Sequence, residues 1–144
     1  MQVFNTPPTL PYYSQAGPMT SPGRHAALLS DQPRDVAGLS AVLHGLIIHE
    51  HLAGLYGVSL SDEDRASVHV RRTEELLGLI TGRDASPLTE PRQPSARLAG
   101  NCRHFTVLLV AMLRAQGIPA RARLRPIPSR GRWRIRHRGT CPRW

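Results

Sequence analysis

Cys102 is the side chain with the clearest chemical potential in this sequence of 144 residues. It begins an apolar segment that ends at Gly117, and it directly follows Asn101, a residue type that caps helices well. Unpaired N–H groups at a helix start favour the thiolate over the thiol. A thiolate attacks carbonyl carbon, and the same N–H groups can hold the resulting oxyanion. The position therefore predicts acyl-transfer chemistry, with a buried core cysteine as the alternative.

Two histidines follow Cys102 and are the first candidates for a base that removes its proton. His104 lies two residues further along the predicted helix, a rotation of roughly 200°. We therefore expect it to face away from Cys102 and to be a hydrogen-bonded structural residue. His137 shares the odd-numbered phase of Trp133 and Ile135, which would place all three on one side of a strand. His137 is the remaining candidate base, although chance placement is the favoured interpretation.

A second group of polar side chains has the residue types that bind metals: His44, His49, Glu50 and His51. Adjacent residues diverge on a helix, and this group lacks the i, i+4 histidine pair of the His-Glu-x-x-His zinc motif. His44 and His51 could align on one helix face, but a zinc site needs a further ligand. We predict a solvated or core-edge cluster, with no metal and no organic cofactor.

The segments that precede the cysteine are predicted to be mostly helical. Residues 1–22, rich in Pro, Ser, Thr and Gly, should be irregular. A short helix is expected over residues 23–29 and a longer one over about 34–55, where apolar residues recur at the helical period. Ser61-Asp62-Glu63-Asp64 is typical of a capped helix start, and the helical segment that follows should be interrupted near residues 68–70.

A proline-containing loop over residues 82–100 is predicted to lead into the cysteine helix. That helix is apolar nearly all round, which is typical of a helix at the centre of a domain. Gly117 should end it, and a strand is predicted over residues 120–124.

Composition and charge indicate a single soluble domain. The chain has two cysteines, too few for a disulfide scaffold, and no apolar run of transmembrane length. Its N-terminus lacks the pattern of a secretory signal, so a cytoplasmic protein without a membrane partner is expected. Residues 1–90 hold all ten acidic residues, whereas residues 91–144 hold thirteen of the nineteen arginines. The absence of lysine suggests a GC-rich genome.

Residues 100–123, GNCRHFTVLLVAMLRAQGIPARAR, resemble the nucleophile helix of the transglutaminase-like superfamily. The shared pattern is a Gly-x-Cys turn, an apolar helix, a Gly-Ile-Pro-Ala-Arg exit and a strand. The resemblance implies an α+β, papain-like fold over residues 23–123, mostly helical in its N-terminal part, with a central nucleophile helix and an incomplete sheet. It implies Cys102 as the nucleophile of a bacterial protein that transfers or hydrolyses the acyl group of a protein or peptide amide.

Members of that family carry a histidine and then an aspartate after the nucleophile, and this chain lacks both motifs. No acidic residue follows Glu90. Residues 124–144 are rich in Arg, Pro and Gly, which GC-rich DNA yields when it is read out of frame. We therefore predict a truncated or frameshifted member, inactive as a catalyst. The alternative is a non-catalytic interaction domain whose basic tail binds acidic partners or nucleic acid, with Trp133 and Trp144 stacking on bases. The sequence leaves the oligomeric state open.

Overall fold

The computed structural model describes residues 9–123, and the elements below lie in that range. Five α-helices and two short strands alternate with three 3₁₀ helices. In chain order the elements are α1 (Leu10–Tyr13), a 3₁₀ helix (Gly23–Leu29), α2 (Val36–Leu46), β1 (Ile47–His49), a 3₁₀ helix (Ala53–Tyr56), α3 (Asp62–Ser67), α4 (Thr73–Arg83), a 3₁₀ helix (Pro94–Ala96), β2 (Leu98–Gly100) and α5 (Cys102–Ala115). The combination is an α+β fold, as predicted, at the level of its secondary structure.

Helix α2 is shorter than the sequence predicted. Asp35 caps its start by accepting a hydrogen bond from the Gly38 N–H at 2.8 Å, and the helix ends at Leu46. The prediction of a helix to residue 55 is wrong from Ile47 onward, where the backbone becomes extended and forms β1. The β-branched residues Ile47 and Ile48 fit a strand that is buried on both faces, and this pairing outweighs the local helical period.

Strands β1 and β2 form a parallel pair in which Ile47 lies opposite Leu98 and His49 opposite Gly100. Parallel neighbours need a long crossover, and here α3 and α4 lie within it. Strand β2 was not predicted, because residues 82–100 carry the prolines of a loop and only three of them pair with β1. The sheet therefore forms through a contact between residues about fifty positions apart.

Helix α5 lies at the centre of the domain, as its apolar sequence predicted. Its residues Leu108 and Met112 are buried against α2, α4 and the 3₁₀ helix over residues 23–29. The main core also includes Leu39, Leu43, Leu46, Ile47, Leu76, Leu77, Ile80 and Leu98. This packing fixes the position of α5, and with it the position of Cys102 at its first residue.

The crossover is ordered by polar contacts that hold its turns in place. Ser61 and Asp64 form the predicted capping box of α3, and Arg83 at the end of α4 pairs with Asp64 at 2.7 Å. The interruption predicted near residues 68–70 is confirmed, since α3 ends at Ser67 and α4 begins at Thr73.

Arg92, with a side chain that is almost fully buried, organises the loop that returns to β2. Its guanidinium donates hydrogen bonds to the carbonyl oxygens of Asp84, Ser86, Pro87 and Glu90. The loop therefore packs as an ordered layer beside α2, and it sets the start of the chain segment that leads to Cys102.

Gly117, with a φ of 73°, ends α5 as predicted. Residues 120–123 do not form the predicted strand, and Leu124 lies outside the described residues. The segment instead makes one backbone hydrogen bond, from the Ala120 N–H to the Tyr13 carbonyl at 3.0 Å. No helix between residues 9 and 123 has both the length and the hydrophobicity to cross a membrane.

Candidate functional site

Cys102 is exposed at the first position of α5, directly after the turn that leaves β2. Asn101 caps the helix: its side-chain oxygen accepts a hydrogen bond from the Arg103 N–H at 3.1 Å. An exposed cysteine at this position excludes the alternative of a buried core residue. The local sequence was sufficient to predict both the cap and the helix start.

His104 stabilises the same turn from its buried side. Its ring is buried, and its Nδ1 accepts a hydrogen bond from the Asn101 N–H at 3.1 Å, so His104 is the structural residue that the sequence predicted. Burial lowers the pKa of His104, and the charge of Arg103 adds to this shift, against smaller opposing contributions from the backbone of Ser67 and Val70. The lowered pKa favours the neutral form of the ring.

Gly100 explains why a glycine precedes the cysteine by two residues. A Cβ at this position would lie 3.0 Å from the His104 ring and 3.1 Å from the Ile47 side chain. The Gly-x-Cys pattern is therefore a packing requirement of the turn, since β2 passes directly against the capping histidine.

A groove of about 510 Å³ opens beside Cys102, between α2 and α5. We call it the Cys102 groove. Its lining residues are Ser40, Leu43, His44, Ile47, Ile48, His49, Leu52, Tyr56, Arg97, Cys102, Phe105, Thr106 and Leu109. The walls are mostly apolar, with the thiol and a few polar groups at the edge, a composition that is typical of small-molecule and peptide binding sites.

Two upstream histidines share this groove with the thiol. His49 ends β1 opposite Gly100, and its Nδ1 accepts a hydrogen bond from the His51 N–H at 3.3 Å. His44 lies on α2, with its ring centroid 5.2 Å from that of Phe105. The sequence predicts both histidines on one long helix, which leaves them apart from Cys102. The break at Ile47 is what brings them to the groove.

The cluster of His44, His49, Glu50 and His51 is not assembled around one point. Within residues 9–123, no group of three or more His, Cys, Asp or Glu side chains could hold a metal ion. Glu50 instead accepts a hydrogen bond from the Asn101 side-chain amide at 3.4 Å, which supports the cap of α5. His137 and Cys141 lie outside the described residues.

The first turn of α5 has most of its N–H groups already in use. The Arg103 N–H donates to the Asn101 side chain, and the N–H groups of His104 and Phe105 both reach the Asn101 carbonyl, at 2.9 and 3.4 Å. Among the described residues, the N–H of Cys102 itself is the group left to meet an oxyanion. Fewer N–H groups are therefore available to an oxyanion than the helix start predicted.

The site therefore consists of an exposed cysteine at the start of a buried helix, beside a sheet edge and a groove that contains histidines. Residues 80–139 match the family model described as the transglutaminase-like superfamily, which confirms the resemblance seen in residues 100–123. The match includes α5 and His137. No curated protein and no solved structure matches the chain. The frameshift after Arg123 stays a prediction.

Proposed function

We propose that this chain is a transglutaminase-like domain in which Cys102 accepts an acyl group from a protein or peptide amide. The observation that carries the proposal is the exposed thiol at the first residue of α5, in the wall of the Cys102 groove. The groove gives an amide carbonyl an apolar surface to approach from, and the Cys102 N–H at the helix start can donate to a developing oxyanion.

The second step of the reaction, release of the acyl group, is where this chain departs from an efficient catalyst. No acidic residue follows Glu90, so the family's acid that orients its histidine has no counterpart there. General acid–base help is typically worth about 10²- to 10⁴-fold in rate. We therefore propose that Cys102 forms a thioester, and that transfer of its acyl group to water or to an amine is slow because no acidic residue after Glu90 orients a histidine to activate them.

A second candidate function is that of a non-catalytic binding domain. It is favoured by three exposed apolar side chains at and near the mouth of the groove: Leu52, Leu55 and Tyr56 are 46%, 82% and 57% exposed. A cluster of exposed apolar groups of this kind is typical of an interaction surface. In this function the Cys102 groove holds a peptide without forming a covalent bond.

The test is to incubate the full chain with p-nitrophenyl acetate and with a glutamine-containing peptide, and to locate any acyl adduct by peptide mass spectrometry. We expect a burst of acylation on the Cys102 peptide, which is absent from Cys102→Ala and retained by Cys141→Ala, followed by little turnover. Binding of the peptide by both the full chain and Cys102→Ala without any adduct would favour the binding domain. Sustained turnover that Cys102→Ala and His137→Ala both abolish would contradict the slow-release proposal and make His137 the base.

A further inference from the structure

His44 and Cys102 both line the Cys102 groove. Its ring centroid is 5.2 Å from the Phe105 ring, at an interplanar angle of 43°. Phe105 follows Cys102 by three residues, and residues three apart on a helix lie on one face with their Cβ atoms about 5–6 Å apart. The His44 ring therefore faces the same side of α5 that carries the thiol, and both side chains line the groove.

The backbone that carries His44 is held in place on either side. Leu43 is buried in the main core, and the Gly45 carbonyl accepts a hydrogen bond from the Arg92 N–H at 2.9 Å. Helix α2 packs directly against α5. His44 therefore lies on a rigid element. A rigid backbone lets a side chain approach a reacting atom in one reproducible geometry.

The three histidines near Cys102 differ in which ring nitrogen is free to accept a proton. His49 uses its Nδ1 to accept from the His51 N–H, so its neutral ring carries the proton on Nε2 and acts as a donor. His104 is buried and uses Nδ1 in the cap of α5. The His44 ring packs against Phe105, and no group among residues 9–123 hydrogen-bonds to it. His44 alone of the three can offer a lone pair to the thiol.

We infer that His44 is the base that removes the proton from Cys102, in place of a histidine that follows the nucleophile helix. The inference rests on the proposed function, because it assigns a proton acceptor to the same thiol. It places the thiol and its base on two helices that both precede residue 116. The acylation step then needs no residue from the segment beyond residue 123.

Acylation of Cys102 then involves the transfer of one proton and the exchange of one bond at the amide carbon. The proton of the Cys102 thiol moves to a ring nitrogen of His44, and the sulfur electron pair forms a bond to the amide carbon. The carbonyl π electrons move to the oxygen, next to the Cys102 N–H. When the carbonyl re-forms, the carbon–nitrogen bond breaks and the imidazolium of His44 gives its proton to the departing amine. The products are a Cys102 thioester, a free amine and a neutral His44.

The experiment measures the rate of acetylation of Cys102 by p-nitrophenyl acetate near pH 7 in the full chain, with mass spectrometry to identify the modified peptide. The variants are His44→Gln, His137→Gln and, as the matched control, His51→Gln, which changes an exposed histidine outside the groove lining. A free thiol is only a few per cent ionised near pH 7, so loss of its base should slow acetylation at least about tenfold. His51→Gln should stay within about twofold, the scale of an ordinary surface substitution.

A second variant separates a proton-transfer role from a structural one. In His44→Ala, added imidazole should raise the acetylation rate by a larger factor than it raises the rate of His51→Gln, in which His44 already supplies the base. A slow His44→Ala that imidazole does not rescue would overturn the inference, since a loss of packing against Phe105 would then explain the effect.

The outcomes also separate this inference from the proposed function. If His44→Gln acetylates at the unmodified rate while Cys102→Ala does not react, His44 is not the base and the nucleophile assignment stands. If His137→Gln is the slow variant, the base follows the nucleophile helix and the inference is wrong. If Cys102 reacts no faster than N-acetylcysteine in every variant, both the base and the proposed nucleophile fail.

Discussion

Asn101 shows how much a single residue contributes to the placement of the thiol. Its side-chain oxygen caps α5, its N–H donates to His104, and its amide group donates to Glu50 beside β1. These three bonds join the helix start, the buried core and the sheet edge at the residue before Cys102. The cap itself was predicted from the sequence, because capping depends on neighbouring residues. The bond to Glu50 was not, because the sequence placed Glu50 within a helix.

His104 gives a prediction at the same scale. Its folded-state pKa lies below the ordinary histidine value, because the ring is buried, so the folded protein binds a proton less readily than the unfolded chain. The stability that the neutral ring contributes is fully present above the unfolded value of about 6.5 and is lost as the pH falls below it. The urea midpoint of the unmodified chain should therefore fall between about pH 7 and pH 5.5.

His104→Gln is the control for that measurement, since glutamine can accept the Asn101 N–H and does not titrate. Its urea midpoint should change less over the same interval, whatever its absolute stability. Parallel pH dependences in the two proteins would show that His104 does not contribute the pH-dependent stability.

At the scale of elements, the helices were predictable and the strands were not. The periodic apolar residues of α2 and α5 and the capping pattern of α3 are local signals, and the structure has helices at all three. Each strand has three residues and pairs with a partner far away in the chain, so no local period identifies it. The groove was missed for the same reason: without the break at Ile47, His44 and His49 remain on one helix, away from Cys102.

Gly100 provides the test of how β2 and α5 are joined. Gly100→Ala places a methyl group 3.0 Å from the buried His104 ring, and overpacking of this kind typically costs about 1–3 kcal/mol. We expect a lower free energy of unfolding, measured by urea denaturation. Gly54→Ala is the matched control, because nothing lies within 4 Å of its Cβ position and an open surface change typically stays within about 0.5 kcal/mol. Equal effects of the two substitutions would contradict the close packing at Gly100.

At the scale of the whole molecule, the family match spans the boundary between residues 1–90, which hold all ten acidic residues, and the arginine-rich residues 91–144. The family match covers residues 80–139, so it begins in α4, includes β2 and α5, and continues into the arginine-rich segment. The helix that carries Cys102 could be predicted from the sequence, because residues 100–123 carry the whole local pattern of the family's nucleophile helix. The proposed base on α2 could not be predicted, because it lies in an element outside the family match and shares a groove with Cys102 only in the folded chain.

The frameshift prediction belongs to this scale as well. If residues 124–144 are read out of frame, another frame of the DNA after codon 123 should encode a strand with a His-x-Trp motif and then an aspartate. Sequencing of the genomic DNA across this point gives the answer directly. Absence of both motifs from the other frames of the adjoining DNA would mean that the arginine-rich segment is the genuine continuation of the domain.

The central claim is that the fold activates Cys102, and the most direct test compares the two cysteines of the same chain. The measurement is the rate of iodoacetamide labelling of the Cys102 and Cys141 peptides at neutral pH, in the folded protein and in urea. Unfolding removes the helix start and the groove, so each cysteine in urea serves as its own reference. We predict that Cys102 labels faster than Cys141 in the folded protein and that unfolding abolishes this difference. Equal folded-to-unfolded rate ratios for the two cysteines, or protection of Cys102 in the folded protein, would contradict the account.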